Sequence, residues 1–290
     1  MPGRSLYNML KCFLLIFILN AAPQRFEKIW QNYKVNGAPG DSVLINSMVE
    51  TIRSYHYKLH QFFLKDPEDT VRIFLATSDR EYDQWTGSAL PDWSGAVAFK
   101  EKRIIVIKPV TPFSYGQYTE SLKHELVHLY LHNKFLPLWL EEGLAMYLSE
   151  KKITWWDHIR IGNAVAGGHI VSLSDIDQLL SFGYNKASLA YLQSLIAVDF
   201  IADHYGKQAL RELIIRINTG QPLDQLLRNS LHTEYADFEL AYIKYIKKKY
   251  RYMFMLQFEY LIMIFMVALV VFAYIRLRRR NKKILSGWEE

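Results

Sequence analysis

The sequence predicts an α+β fold with its strands first and its helices after, on two observations. Short apolar runs of strand type fall before about residue 110, and from there to about residue 250 apolar residues recur at three- and four-residue steps. Segregated strands and helices, rather than strict alternation, point to α+β rather than a parallel α/β sheet.

The elements follow in order. Ser42 to Leu64 reads as an amphipathic helix, with Ile45, Val49, Ile52, Leu59 and Phe63 on one face and Pro67 as its stop. Val71 to Ala76 (VRIFLA) reads as a strand. Residues 78 to 95 contain Gly87, Pro91 and Gly95, which predicts a short helix and a loop. Ala96 to Phe99 and Arg103 to Val110 flank the charged turn Lys100-Glu101-Lys102 and read as a hairpin. Helices are expected over Gln117 to Asn133, over Leu138 to Ser149 after Pro137, and then at about 187–204, 207–217, 222–230 and 234–250. Gly162, Gly167 and Gly168 mark a loop region between them.

Charge and cysteine content narrow the function classes. The formal charge is +6. Arg4 and Lys11 near the start, and the run Arg276, Arg278, Arg279, Arg280, Lys282, Lys283 against Glu289 and Glu290, account for it, so the stretch between is close to neutral. Basic ends of this kind flank membranes, and no nucleic-acid partner is expected. The one cysteine, Cys12, rules out an intrachain disulfide and a thiolate zinc site.

Both ends predict membrane targeting. Arg4 and Lys11, the apolar Cys12 to Leu19 and then Asn20-Ala21-Ala22 read as a signal peptide over residues 1–22, with an uncleaved anchor as the competitor. Tyr260 to Ile275 carries no charge, and with Met253 to Phe258 before it reaches spanning length. The expected layout is a domain over 23–252, a transmembrane helix over 253–275 in contact with membrane lipid, and a basic tail over 276–290. The cation-rich tail is expected on the cytoplasmic side and the domain outside.

The chemistry lies in His124-Glu125-Leu126-Val127-His128. A helix turns 100° per residue, so positions i and i+4 share a face one turn apart. His124 and His128 thus present two imidazoles to one cation, with Glu125 beside it as a general base. The flanking Leu122, Leu126, Val127, Leu129, Tyr130 and Leu131 predict a largely buried helix. Three polar side chains on such a helix need partners. A catalytic zinc takes three protein ligands and keeps a position for water. His132 is two turns from His124 and too far along the axis to be the third. A second helix has to supply it, and Trp139-Leu140-Glu141-Glu142-Gly143-Leu144-Ala145-Met146-Tyr147 follows the break at Pro137.

HELVH followed by PLWLEEGLAMY resembles the gluzincin superfamily of zinc metallopeptidases, in particular its peptidase-MA-like group of bacterial membrane or secreted proteins. In gluzincin aminopeptidases the second segment reads W-L-N-E-G-F-A-E-Y, and the Glu before its Gly is the third zinc ligand. The resemblance therefore implies Glu142, rather than Glu141, as the partner of His124 and His128 around one Zn²⁺ per chain. It also implies a zincin-like (thermolysin-like) fold and zinc-dependent hydrolysis of peptide or protein substrates with Glu125 as base. Tyr191, in the segment LAYLQSLIAVDFIADHYG (189–206), is implied as an oxyanion-stabilising hydroxyl. The likeness runs from about residue 26 to 250 and includes WSGAVAF (93–99).

Two positions depart from the family pattern. Many relatives carry an acid four residues after the ligand Glu, bonded to a zinc histidine, and here that position is Met146. Loss of such a partner weakens metal binding by about 10–100-fold unless another group substitutes. The aminopeptidases also carry a G-x-M-E-N strand whose Glu grips the substrate amino terminus, and Ala98 stands at that place. That favours an endopeptidase acting on the extracytoplasmic face. The competing expectation is a catalytically weak or inactive peptidase-fold binding module. Ala96 to Phe99 is a candidate edge strand for β-addition of substrate. His56 and His60, also four apart, read as a solvated or half-buried helix face.

Overall fold

The computed structural model describes residues 25–67, 69–87, 95–109, 115–131, 136–217 and 220–286. The expected signal peptide lies outside them. The chain divides into two compact units, one of residues 1–152 and 171–242, the other of 153–170 and 243–290.

The first unit opens with a five-stranded mixed sheet in the order β1-β2-β3-β5-β4. Its strands are β1 (Phe26–Trp30), β2 (Tyr33–Gly37), β3 (Val71–Leu75), β4 (Ala96–Phe99) and β5 (Ile104–Ile107). β2 and β3 pair in parallel, as do β3 and β5, while β1–β2 and β4–β5 are antiparallel. The predicted hairpin is present, with Ala96 opposite Ile107 and Phe99 opposite Ile104. All four residues of β5 are buried, which is the pattern of a strand covered on both faces. β4 takes the sheet edge beside it.

α1 (Ser42–Phe63) connects β2 to β3 and buries Ile45, Met48, Val49, Ile52, Leu59 and Phe63. It stops where Leu64 turns left-handed at φ 54° and its N–H bonds the His60 carbonyl. α2 (Asp79–Thr86) starts at Ser78, whose side chain accepts from the Glu81 N–H, and ends at Gly87 with φ 74°. Its Tyr82 and Trp85 pack with Phe74, Ile104 and Val106 of the sheet.

The helical part begins with α3 (Tyr115–Tyr130) and α4 (Leu138–Leu148). After α5 (Trp155–Ala166) come α6 (Tyr184–Phe200), α7 (Lys207–Ile217), α8 (Leu223–Leu231) and α9 (Tyr235–Tyr250). α4 and α6 are buried along most of their length. Gly143 lets them approach: a Cβ there would stand 2.4 Å from the Ser194 carbonyl oxygen and 2.8 Å from Val198 Cγ2.

The second unit holds α5 (Trp155–Ala166), the Ile243–Tyr250 part of α9 and α10 (Met253–Ser286). α5 corrects the sequence reading at Gly162, where a loop is expected, whereas Gly167 and Gly168 follow the helix end as expected. Thr154 and Asp157 form a reciprocal capping box that starts the helix, and Gly162 sits buried inside it. β1 and β2 are likewise absent from the sequence reading; their five-residue runs carry lysines and an asparagine that interrupt the apolar pattern.

α10 is one continuous helix, and its apolar side chains from Ile262 to Ile275 are largely exposed. Among the described residues no helix is long and apolar enough to cross a membrane. The side chains of residues 254–261, part of the span expected from sequence, lie outside the described ones.

Candidate metal centre

α3 carries His124, Glu125 and His128, and α4 carries Glu141 and Glu142. His124 Nε2 lies 3.2 Å from Glu142 Oε2 and 3.1 Å from His128 Nε2. His128 Nε2 lies 3.6 Å from Glu142 Oε2. Among the described residues these three form a group whose donor atoms all fall within 4.8 Å of one another.

The donor set fits zinc. Nitrogen and oxygen ligands about 2.0–2.2 Å from a tetrahedral zinc stand roughly 3.3–3.6 Å from each other. The three measured separations lie close to that range. Two Nε2 lone pairs turned toward a third acceptor, the Glu142 carboxylate, also make an arrangement that a shared cation or bound protons must stabilise. The structure brings the carboxylate of Glu142 beside both Nε2 atoms, while Glu141 meets His128 at Nδ1.

The electrostatics are those of a chelate that holds protons when it holds no metal. Burial alone would lower His128, but the Glu142 and Glu141 carboxylates outweigh it and hold the imidazole well above its ordinary 6.5. Burial alone would raise Glu142, but His128 and His124 outweigh it and hold that carboxyl far below its usual range.

Glu125 is buried beside the triad. Desolvation pushes its carboxyl above 4.5, against the pull of His128, His124 and a backbone hydrogen bond from Ala98 in β4. The edge strand is thereby tied to the side chain expected to act as base. Burial also raises the Tyr191 hydroxyl, followed by the nearby Glu142 and Glu125 carboxylates. It therefore remains a protonated donor. Tyr191 and Tyr184 of α6 line a cleft of about 500 Å³ with Gly95, Ala96, His124 and Glu125. Met146 also lines this cleft.

Sequence reasoning assigned no role to Glu141 or Lys100. Glu141 Oε1 lies 2.8 Å from His128 Nδ1 and 2.6 Å from Lys100 Nζ. Two adjacent acids were visible in the sequence, but a helix points them 100° apart, and only the packing of α4 on α3 shows where each arrives. His56, the other histidine with an i+4 partner, is buried: Tyr33 and Tyr130 hydroxyls stand 3.3 Å from its Nδ1. Asp66 stands 3.4 Å from its Nε2.

The fold and the clustered donors define a peptidase-type domain with a candidate three-ligand metal centre. A family model described as the Peptidase MA superfamily matches residues 58–248, more than half of the chain. The chain belongs to that superfamily. Comparison with curated proteins finds no match.

Proposed function

We propose that this chain is a zinc-dependent endopeptidase of the gluzincin type, with His124, His128 and Glu142 as ligands of one zinc ion. The observation that carries the reading is the mutual spacing of the three donor atoms, 3.1 to 3.6 Å. Zinc bound there supplies Lewis-acid activation of water and of the scissile carbonyl.

The chain's own residues supply the rest. Glu125 accepts the proton of the attacking water and passes it to the leaving amine. Tyr191 donates a hydrogen bond to the oxygen on which negative charge develops. An extended peptide adds to the β4 edge at Gly95 and Ala96, which line the cleft. Ala98 presents no carboxylate to an amino terminus, which supports internal cleavage.

The test is zinc stoichiometry and hydrolysis of a peptide library by the full chain, compared with Glu142→Ala and Glu125→Gln. The reading expects about one zinc per chain, lost in the first variant and kept in the second, with hydrolysis lost in the first and strongly reduced in the second. Zinc without hydrolysis in the wild type would favour the binding-module alternative, and no zinc would overturn the metal reading.

We further propose that α10 anchors the chain in a cell membrane, domain outside and basic tail in the cytoplasm. The exposed apolar surface from Ile262 to Ile275 supports this. Membrane fractionation of the full chain against a truncation after Arg251 decides it: equal recovery in the soluble fraction would refute the anchor.

A further inference from the structure

One carboxylate oxygen joins the edge-strand turn to a metal-ligating histidine. Glu141 Oε1 lies 2.8 Å from His128 Nδ1, and Lys100 Nζ approaches the same oxygen at 2.6 Å. Lys100 belongs to the turn between β4 and β5. Glu141 is buried, whereas Lys100 keeps 37% of its side-chain surface exposed.

We propose that Glu141 and Lys100 are positioning residues for His128, Glu141 directly and Lys100 through Glu141. A carboxylate accepting the Nδ1–H places that proton on Nδ1 and leaves Nε2 with its lone pair free for the metal. The same bond fixes the ring so that Nε2 faces His124 and Glu142. Without a partner Glu141 would be an uncompensated buried charge. Lys100 provides the countercharge and confines the carboxylate to the orientation that meets the ring. Met146, which occupies the place where an acid was expected, lines the cleft instead. Glu141 sits on the same helix one residue before Glu142, so a single helix delivers both a ligand and the group that orients another ligand. The Lys100 bond also ties the β4–β5 hairpin to α4. The strand that borders the cleft and the histidine that holds the metal thus share one anchoring contact.

This inference rests on the zinc reading above. Its test is the zinc dissociation constant of the full chain, measured by competition with a chromogenic chelator. The chains compared are wild type, Glu141→Gln, Lys100→Met and the double variant. Glu141→Gln is expected to weaken zinc binding by about 10-fold or more, as loss of a histidine-orienting carboxylate does. Lys100→Met is expected to weaken it less, and the double variant to bind no more weakly than Glu141→Gln alone. That non-additivity separates positioning through Glu141 from a general structural role of Lys100, which would weaken the double variant further. Circular dichroism of the metal-free proteins reports folding. If Glu141→Gln does not fold, Lys100→Met decides, and wild-type affinity in it overturns the inference. Wild-type affinity in a folded Glu141→Gln, or multiplying effects in the double variant, also overturns it while leaving the zinc reading intact. A wild type that takes up no zinc refutes the zinc reading, and this inference with it.

Discussion

Gly143 on α4 faces the backbone of Ser194 on α6 so closely that a Cβ on it would stand 2.4 Å from the Ser194 carbonyl oxygen. The obstacle is backbone, which cannot rotate aside. Gly143 directly follows Glu142, and Ser194 lies one helical turn beyond Tyr191. The contact therefore holds the helix segment that carries the proposed ligand Glu142 against the segment that carries Tyr191. Gly143→Ala is expected to destabilise the fold by about 1–3 kcal/mol, the usual overpacking cost, and to weaken zinc binding. Thermal melting and chelator competition check both.

Glu125→Gln removes the proposed base and keeps the shape. Zinc uptake is expected to be unchanged, because Glu125 is not among the three clustered donors. Peptide hydrolysis is expected to fall by about 10²–10⁴-fold, the usual contribution of a positioned general base. Hydrolysis within a few-fold of wild type would remove Glu125 from the mechanism.

Tyr191→Phe deletes one hydroxyl from the cleft wall. That hydroxyl stays protonated and so can donate to developing charge. The expected outcome is a drop of about 10²–10³-fold in kcat, little change in KM and unchanged zinc affinity. A rise in KM at constant kcat would make Tyr191 a substrate-binding side chain instead.

Zinc is expected to stabilise the chain by mass action. At a free concentration about 100 times the dissociation constant the gain is about 2.7 kcal/mol, visible as a higher melting temperature. Adding a chelator should reverse it, and Glu142→Ala should abolish it.

His56 gives the metal-free protein an acid-sensitive element. Burial is the larger influence and lowers its pKa below 6.5, against the opposing pull of Asp66, with His60 lowering it further. The unfolded chain then binds the proton more readily than the folded one. The stability contributed by neutral His56 is fully present above pH 6.5 and is lost as pH falls toward the lower folded pKa. His128, raised in the fold, acts in the other direction: its contribution is complete below pH 6.5 and is lost as pH rises through its folded pKa. Glu142, lowered in the fold, loses its contribution only below about pH 4.5. Glu125, raised in the fold, gains a contribution as pH falls through its folded pKa and opposes His56, so the readout is the difference between the two chains: as pH falls below 6.5 the melting temperature of wild type should drop relative to that of His56→Gln.

The sequence by itself determined what depends on local periodicity. His124 and His128 on one helical face, the strand run VRIFLA, the β4–β5 hairpin and the order of strands before helices all follow from spacings of two, three or four residues. The pattern WLEEGLA narrowed the third donor to two adjacent acids, and resemblance chose Glu142. Local pattern failed where polar residues broke it, as in β1 and β2, and where glycine read as loop, as in α5. Tertiary structure alone decided where Glu141 and Lys100 meet. They are far apart in the chain, and Glu141 meets both Lys100 and His128 because α4 packs on α3 beside the β4–β5 turn. Contacts of that kind depend on how whole elements dock, and a buried charge such as Glu141 shows its role only when its partners are brought within hydrogen-bond distance.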